Sequence, residues 1–272
     1  MSVPADAMDA LGRVLDGIGR TAVAVSGGVD SLTLATVAHR RLGDRVEMFH
    51  AVSPAVPPEA TRRVETMAAA ERWRLQVIDA GEFGDAQYRA NPLNRCFYCK
   101  TNLYAAIAPR TTAQIVAGTN LDDLGEYRPG LQAAKAHGVR HPFVEAGLGK
   151  PAVRSLARSL DRGDIAERAA SPCLASRVET GIGIDPRMLA LIHRTEQTVQ
   201  QALAPRTVRC RVRAGGVVIE LDDARLAALA EADRDAIRTD IARLFRDGGY
   251  DYQVNFAPYR VGSAFLHRLT PG

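Results

Sequence analysis

The sequence predicts an α/β protein, a doubly wound parallel sheet with helices on both faces followed by a smaller α+β domain. Three observations predict it. Short apolar runs rich in β-branched residues, at 21–25, 46–52, 75–78 and 114–117, alternate with helical spacing at 31–42 and 59–73, and such alternation favours a parallel sheet covered on both sides. A stretch punctuated by Pro and Gly, 170–184, ends that rhythm. Beyond it strands and helices follow a different order, so a first domain over 1–180 and a second over 181–272 are expected.

In the second part, 185–203 reads as a helix with the stripe Leu189, Ile192, Glu196, Val199 and Leu203 at steps of three and four. Residues 208–213 alternate strictly, 217–221 form a second strand, 223–245 one long helix, and 250–256 alternate again. No internal repeat stands out, and alanine-rich helices are the extent of compositional bias.

With 46% hydrophobic and 24% charged residues, the 272-residue chain is ordinary globular material. Residues 1–12 carry no basic region followed by an apolar one, and no apolar run is long enough to cross a bilayer, so a cytoplasmic protein without a membrane partner is expected. The net charge is +4, and only Lys100, Lys135 and Lys150 are lysines. The arginines alternate with Asp and Glu, which suits small anions and disfavours nucleic acid as a partner. Four cysteines without an export signal argue against a disulfide scaffold and for metal, redox or nucleophilic roles.

The most informative segment is 21–31, where a buried-type strand runs into Ser26-Gly27-Gly28-Val29-Asp30-Ser31 and then into a helix. Two glycines let the backbone turn tightly and bring N–H groups close to an anion, and the helix N-terminus adds unpaired donors and partial positive charge. Ser26 and Ser31 add hydroxyls, and Asp30 suits Mg²⁺ or a helix cap. Neither a G-x-x-x-x-G-K-[ST] nor a G-x-G-x-x-G pattern occurs. The segment resembles the PP-loop of the ATP pyrophosphatases, which cleave ATP to AMP and pyrophosphate. That resemblance implies activation of a carboxylate as an adenylate, displaced by ammonia or by sulfur.

Cys96 and Cys99 lie three residues apart between Arg95 and Lys100, whose charges favour thiolate. Cys173 stands in Ser171-Pro172-Cys173-Leu174-Ala175-Ser176-Arg177, again with an arginine near. Cys210 shares a strand face with Val208 and Val212 and reads as a small buried hydrophobe. Three thiols without a C-x-x-C…H-x₃-H pattern fit structural zinc poorly. A redox pair leaves Cys173 unexplained, and a [4Fe–4S] cluster with one open iron suits three ligands.

Gly118-Thr119-Asn120 follows the strand at 114–117, so Gly118, Asn120 and Asp122 are expected at the carboxyl edge of the sheet, as nucleotide or Mg²⁺ contacts or as helix caps. Arg209, Arg211 and Arg213 recur about 6.6 Å apart on one face of a strand. Arg211 and Arg213 are candidates to grip a substrate phosphate, the alternative being a solvated face. Glu196, the acid on an apolar stripe, needs a partner or a task, and those arginines are the expected partners.

Taken together, these residues identify the chain as resembling the LarE sulfur transferases that make the nickel-pincer nucleotide cofactor. The resemblance rests on the phosphate loop, Asn91-Pro92, Arg95-Cys96, Cys99-Lys100, Gly118-Thr119-Asn120-Leu121-Asp122-Asp123, Tyr127-Arg128-Pro129-Gly130, Cys173-Leu174-Ala175-Ser176-Arg177, Arg211-Val212-Arg213 and Tyr259-Arg260-Val261-Gly262-Ser263. It implies an adenine nucleotide alpha hydrolase-like PP-loop fold, with a C-terminal domain for substrate and oligomerisation. The implied reaction uses ATP to adenylate a carboxylate of a pyridinium dicarboxylate mononucleotide and converts it to a thiocarboxylate. The resemblance places catalytic roles on Cys173, Cys96, Cys99 and Glu196, and implies a homo-oligomer, the family's hexamer, as the assembly. One variant of the family sacrifices the sulfur of the cysteine matching Cys173; the other holds a [4Fe–4S] cluster with a labile sulfide on three cysteines, and the three cysteines here resemble the latter. A tRNA thiolase is the nearest rival, an ammonia-using synthetase the next and a non-catalytic nucleotide-binding module the third. The family's end is more polar than Ala264-Phe265-Leu266-His267 here.

Overall fold

Four strands, β1 (Thr21–Ala24), β2 (Val46–Val52), β3 (Leu75–Asp79) and β4 (Gln114–Ala117), form one sheet of order β3-β2-β1-β4, every pairing parallel. These come from a computed structural model that describes residues 3–125, 128–168 and 172–265, without the side chains of residues 3 and 4. Tyr127, Ser171, Leu266 and His267, named above, lie outside the described residues. The chain divides into two compact units: Met1–Asp85 with Asn94–Ser171, and Ala86–Leu93 with Pro172–Gly272.

In the first unit the period-2 alternation of the strands builds a core on each face of the sheet. Val23, Met48 and Val116 face one side, with Leu11 and Leu15 of α1 (Val3–Ile18), Leu32 and Val37 of α2 (Val29–Leu42), Val64 and Met67 of α3 (Pro58–Glu71), and Leu156 of α6 (Lys150–Ser159). Ala22, Ala24, Phe49, Ile115 and Ala117 face the other, with Tyr104 and Ile107 of α4 (Arg95–Ile107) and Ala134 of α5 (Pro129–Ala136). This is the doubly wound arrangement expected. Its strand order reverses between β1 and β4, and at such a switch point ligands bind outside the carboxyl ends of the strands.

The second unit has a three-stranded sheet in which β5 (Val208–Arg213) pairs antiparallel with β6 (Gly216–Leu221), and β6 pairs parallel with β7 (Val254–Pro258). Helix α7 (Pro186–Leu203) buries Leu189, Ile192 and Val199, and α8 (Glu231–Asp247) buries Ile241 and Phe245. Two expectations are corrected here. The single helix over 223–245 is two, Asp223–Ala227 and α8. The break buries Leu229 and places Glu231 and Asp233 in a new first turn, where carboxylates favour the helix N-terminus. The strand expected from 250 begins at Val254, because the Tyr250 hydroxyl donates to Asp185 at 2.6 Å and its ring stacks on Tyr252.

No helix of the described residues is long and apolar enough to cross a membrane.

Candidate active site

In the first unit, the loop leaving β1 closes on its own serines. The Ser26 N–H donates to Ser31 Oγ at 3.0 Å, the Ser26 and Ser31 hydroxyl oxygens are 3.1 Å apart, and Ser31 Oγ donates to the Gly28 carbonyl. Gly27 has φ +80°, and a β-carbon there would stand 2.8 Å from the Ala60 carbonyl oxygen, so this position excludes other residues on two counts. Gly28 caps α2, whose first residues are Val29, Asp30 and Ser31. Buried His50 backs the loop: Nδ1 lies 2.8 Å from the Val25 carbonyl and Nε2 2.9 Å from Thr61 Oγ. Burial lowers its pKa, which keeps the imidazole neutral.

Strand β4 delivers Gly118 against this loop. A β-carbon on Gly118 would lie 2.8 Å from the Ser31 backbone nitrogen. Asn120 is buried and sends Nδ2 to Asp30 Oδ1 at 3.4 Å, while its Oδ1 accepts the Asp122 N–H at 3.0 Å. Asp122 accepts the Lys150 N–H at the head of α6, and Lys150 Nζ reaches Asp30 Oδ2 at 2.5 Å. Ser26, Gly27, Gly28, Asp30, Ser31, Gly118, Asn120 and Asp122 are thus assembled in one place, with an ammonium in their midst.

Lys150 was not singled out from sequence. Its signal was the helix start after Gly147-Leu148-Gly149, since Gly149 passes so close to Asp122 that a β-carbon would lie 2.7 Å from Oδ2. For Mg²⁺, Asp30 is the fitting ligand by chemistry, an oxygen donor beside a phosphate cradle. It already carries one cation.

Cys96 and Cys99 are the second and fifth residues of α4, on one face of the helix. Cys96 is exposed and Cys99 half-buried. Lys100 Nζ lies 5.9 Å from the Tyr104 ring centroid, and Gly130 of α5 packs on the Lys100 stem and the Cys96 carbonyl.

In the second unit, half-buried Cys173 precedes the single turn Leu174–Arg177. Arg177, 3% exposed, organises this region: Nε and Nη2 donate to the two oxygens of Glu196 at 2.9 and 3.0 Å, and Nη1 donates to the carbonyls of Pro172 and Cys173 at 2.6 and 3.1 Å. Arg177 is therefore the bidentate partner of Glu196, and the Glu196 charge also acts on Arg209 of β5. Glu196 also accepts the Cys210 N–H at 3.0 Å, which pins the helix stripe to the strand. Cys210 is fully buried and burial pushes its thiol pKa up, in keeping with a small hydrophobe.

Arg211 is buried on Glu220 at 2.9 Å and donates to the Ser176 and Arg260 carbonyls. Arg213, with 31% of its side chain exposed, meets the other Glu220 oxygen at 2.9 Å, and Ser263 Oγ donates to that same oxygen at 2.6 Å. Buried Glu220, missed in the sequence, is the acid on which this cluster is built. Arg209 lies 5.8 Å from the Tyr259 ring centroid, within the field of Glu196.

Three thiols are a suitable donor set for a [4Fe–4S] cluster. Two come from one helix face of the first unit and one from the second unit. Among the described residues, no three His, Cys, Asp or Glu side chains stand together as a metal site.

No family model matches this chain. Curated proteins similar along most of its length include uncharacterized protein slr1717 of Synechocystis, 32% identical over 237 residues, covering 86% of this chain and 87% of that protein. Pyridinium-3,5-bisthiocarboxylic acid mononucleotide synthase of Lactiplantibacillus plantarum is 28% identical over 212 residues, 76% of each. Uncharacterized protein MJ0830 of Methanocaldococcus jannaschii is 25% identical over 243 residues, 88% of this chain and 90% of that protein.

Proposed function

We propose, from the premise that the chain belongs to the family of slr1717 and of the Lactiplantibacillus synthase, the LarE sulfur transferases, that it is an ATP-dependent sulfurtransferase. Its substrate is pyridinium-3,5-biscarboxylic acid mononucleotide, adenylated on a carboxylate and then converted to the thiocarboxylate. The observation that carries this reading is the anion cradle at the β1/β4 switch point, with Lys150 Nζ on Asp30 inside it.

The backbone N–H groups of 26–31 and the N-terminus of α2 bind the phosphates. Lys150 spreads the charge that develops as pyrophosphate leaves, and Asp30 would hold a Mg²⁺ that supplies further positive charge there when bound. Asn120 and Asp122 fix Asp30 and the head of α6. In the second unit Arg213, the more exposed member of the Glu220 cluster, takes the substrate phosphate, and Arg211 positions it. Glu196 acts through Arg177, which holds the Cys173 backbone. Cys96, Cys99 and Cys173 would hold a [4Fe–4S] cluster, which supplies a labile sulfide when bound; its absence would leave the sulfur of Cys173 itself as the donor. In that case the Cys173 thiolate displaces AMP to give a thioester, and loss of the Cα proton with cleavage of Cβ–S releases the thiocarboxylate and leaves dehydroalanine.

The test is anaerobic purification of the native chain and of Cys173→Ala, with iron and labile-sulfide assays and pyrophosphate release from ATP and the dicarboxylate nucleotide. Substrate-dependent pyrophosphate release with thiocarboxylate formation is expected, with about four irons per native chain. Iron-free protein that loses the mass of one H₂S at Cys173 on turnover selects the cysteine as donor. Absence of substrate-dependent pyrophosphate overturns the function.

A further inference from the structure

The phosphate loop has a neighbour that none of the roles above employs. Arg63, on the second turn of α3, sends Nε to the Gly27 carbonyl at 3.2 Å, and this is the hydrogen bond that seats it. The adjacent Arg62 pairs with Glu59 at 3.3 Å, whereas no carboxylate pairs with Arg63 among the described residues. A half-buried guanidinium therefore rests on the backbone of a loop shaped for anions with no ion-pair contact and only the more distant charge of Glu59 to offset it, an arrangement that costs free energy unless an anion completes it.

A second guanidinium adds to the same field. The Arg168 backbone is drawn in by Arg154, whose Nη2 donates to its carbonyl at 3.0 Å, and the Arg168 side chain is exposed. Burial first, and then the charge of Arg168, push the Arg63 pKa below its ordinary value. The like charges of Arg63 and Arg168 repel each other, a cost that a multiply charged anion beside Arg63 removes. AMP, with a single phosphate, has too little charge and reach for this task. The polyphosphate end of ATP has both.

We propose that Arg63, assisted by Arg168, grips the β- and γ-phosphates of ATP and retains them as the departing pyrophosphate. The proposal rests on the nucleotide reading given above and assigns the leaving-group side of that site. Arg63 thereby pulls on charge that grows as the bond between the α- and β-phosphates breaks, and it distinguishes ATP from AMP.

Calorimetric titration of the full chain with ATP, inorganic pyrophosphate and AMP tests this, comparing native protein, Arg63→Gln and Arg168→Gln. For Arg63→Gln, ATP and pyrophosphate are expected to bind about 10- to 100-fold more weakly, as for loss of a charge-assisted hydrogen bond, with AMP affinity unchanged. Arg168→Gln should shift the same two ligands in the same direction by less. Its exposed side chain makes it an independent probe if Arg63→Gln folds poorly. Unchanged pyrophosphate affinity in both variants overturns the proposal, and so does an equal loss for all three ligands, which means that Arg63 only shapes the loop. Native chain that binds neither ATP nor pyrophosphate fails the nucleotide reading itself, and that failure is visible without either variant.

Discussion

No side chain fits between Gly118 and Ser31: a β-carbon at 118 would lie 2.8 Å from the Ser31 nitrogen and 2.9 Å from the Asp30 carbonyl carbon. The end of β4 is thereby seated on the first turn of α2, backbone against backbone. Gly118→Ala is expected to push that turn out of place at a cost of about 1–3 kcal/mol. The fold should survive and ATP affinity should drop by at least about tenfold; calorimetric titration with ATP beside a thermal melt reads both. Native affinity in the variant would show that the loop position is not set by this contact.

Lys150→Met removes the ammonium from Asp30. The KM for ATP is expected to rise about 10- to 100-fold, the size of a charge-assisted hydrogen bond, while Lys150→Arg recovers part of the loss. Steady-state pyrophosphate release measures it. An unchanged KM would restrict Lys150 to holding Asp30 in the empty protein.

Glu196→Gln leaves the Arg177 guanidinium buried without its counter-charge. Breaking such a pair costs about 3–5 kcal/mol, so the urea midpoint of the second unit should fall markedly. Arg177→Met with Glu196→Met together should recover much of that stability but not sulfur transfer, because Pro172 and Cys173 lose their anchor. A double variant with full activity would remove Arg177 from the positioning of Cys173.

Acid stability follows from Glu71. The hydrogen-bonded Arg40 guanidinium, with Arg162 on the same carboxylate, lowers its pKa from 4.5 to about 2. The folded carboxyl thus holds its proton less tightly than the unfolded one. Its stabilising contribution is complete above about pH 4.5 and disappears as the pH falls toward 2. Native protein should lose about 2–3 kcal/mol through this group across that window, and Glu71→Gln should flatten the acid limb. Urea titrations at pH 6, 4 and 3 test the slope.

Much of the fold was legible because β-branched runs report buried parallel strands directly and strict alternation reports a half-buried one: 46–52 and 114–117 are parallel strands, and 208–213 an antiparallel one, with those same bounds. The helix over 223–245 was less legible, since the inward turn of Leu229 depends on packing that no local period encodes. At the site, Ser26-Gly27-Gly28-Val29-Asp30-Ser31 announced a phosphate cradle through glycine placement alone. Lys150 did not announce itself, because a lysine is recruited by a fold that closes 120 residues of chain onto Asp30. The bidentate partner of Glu196, Arg177, went unread for a similar reason. Strand alternation showed three arginines near, but the turn that aims Arg177 at Glu196 is irregular and has no period to read. Glu220 was passed over because an acid between apolar neighbours in a strand looks like an outward residue until its opposite strand is known.

The segment Ala86–Leu93 is continuous with the first unit at both ends yet belongs to the second. Its buried Asn91 sends Nδ2 to the carbonyls of Glu179 and Ile182, each at 2.9 Å, and its own carbonyl accepts the Gly181 N–H. During synthesis Asn91 leaves the ribosome long before those partners exist. The second unit therefore finishes only when late chain returns to early chain, and a fragment beginning at Pro172 lacks a piece of its own interior. Genetic exchange that swaps the C-terminal part alone between relatives must also match Asn91, so the two units are inherited as one.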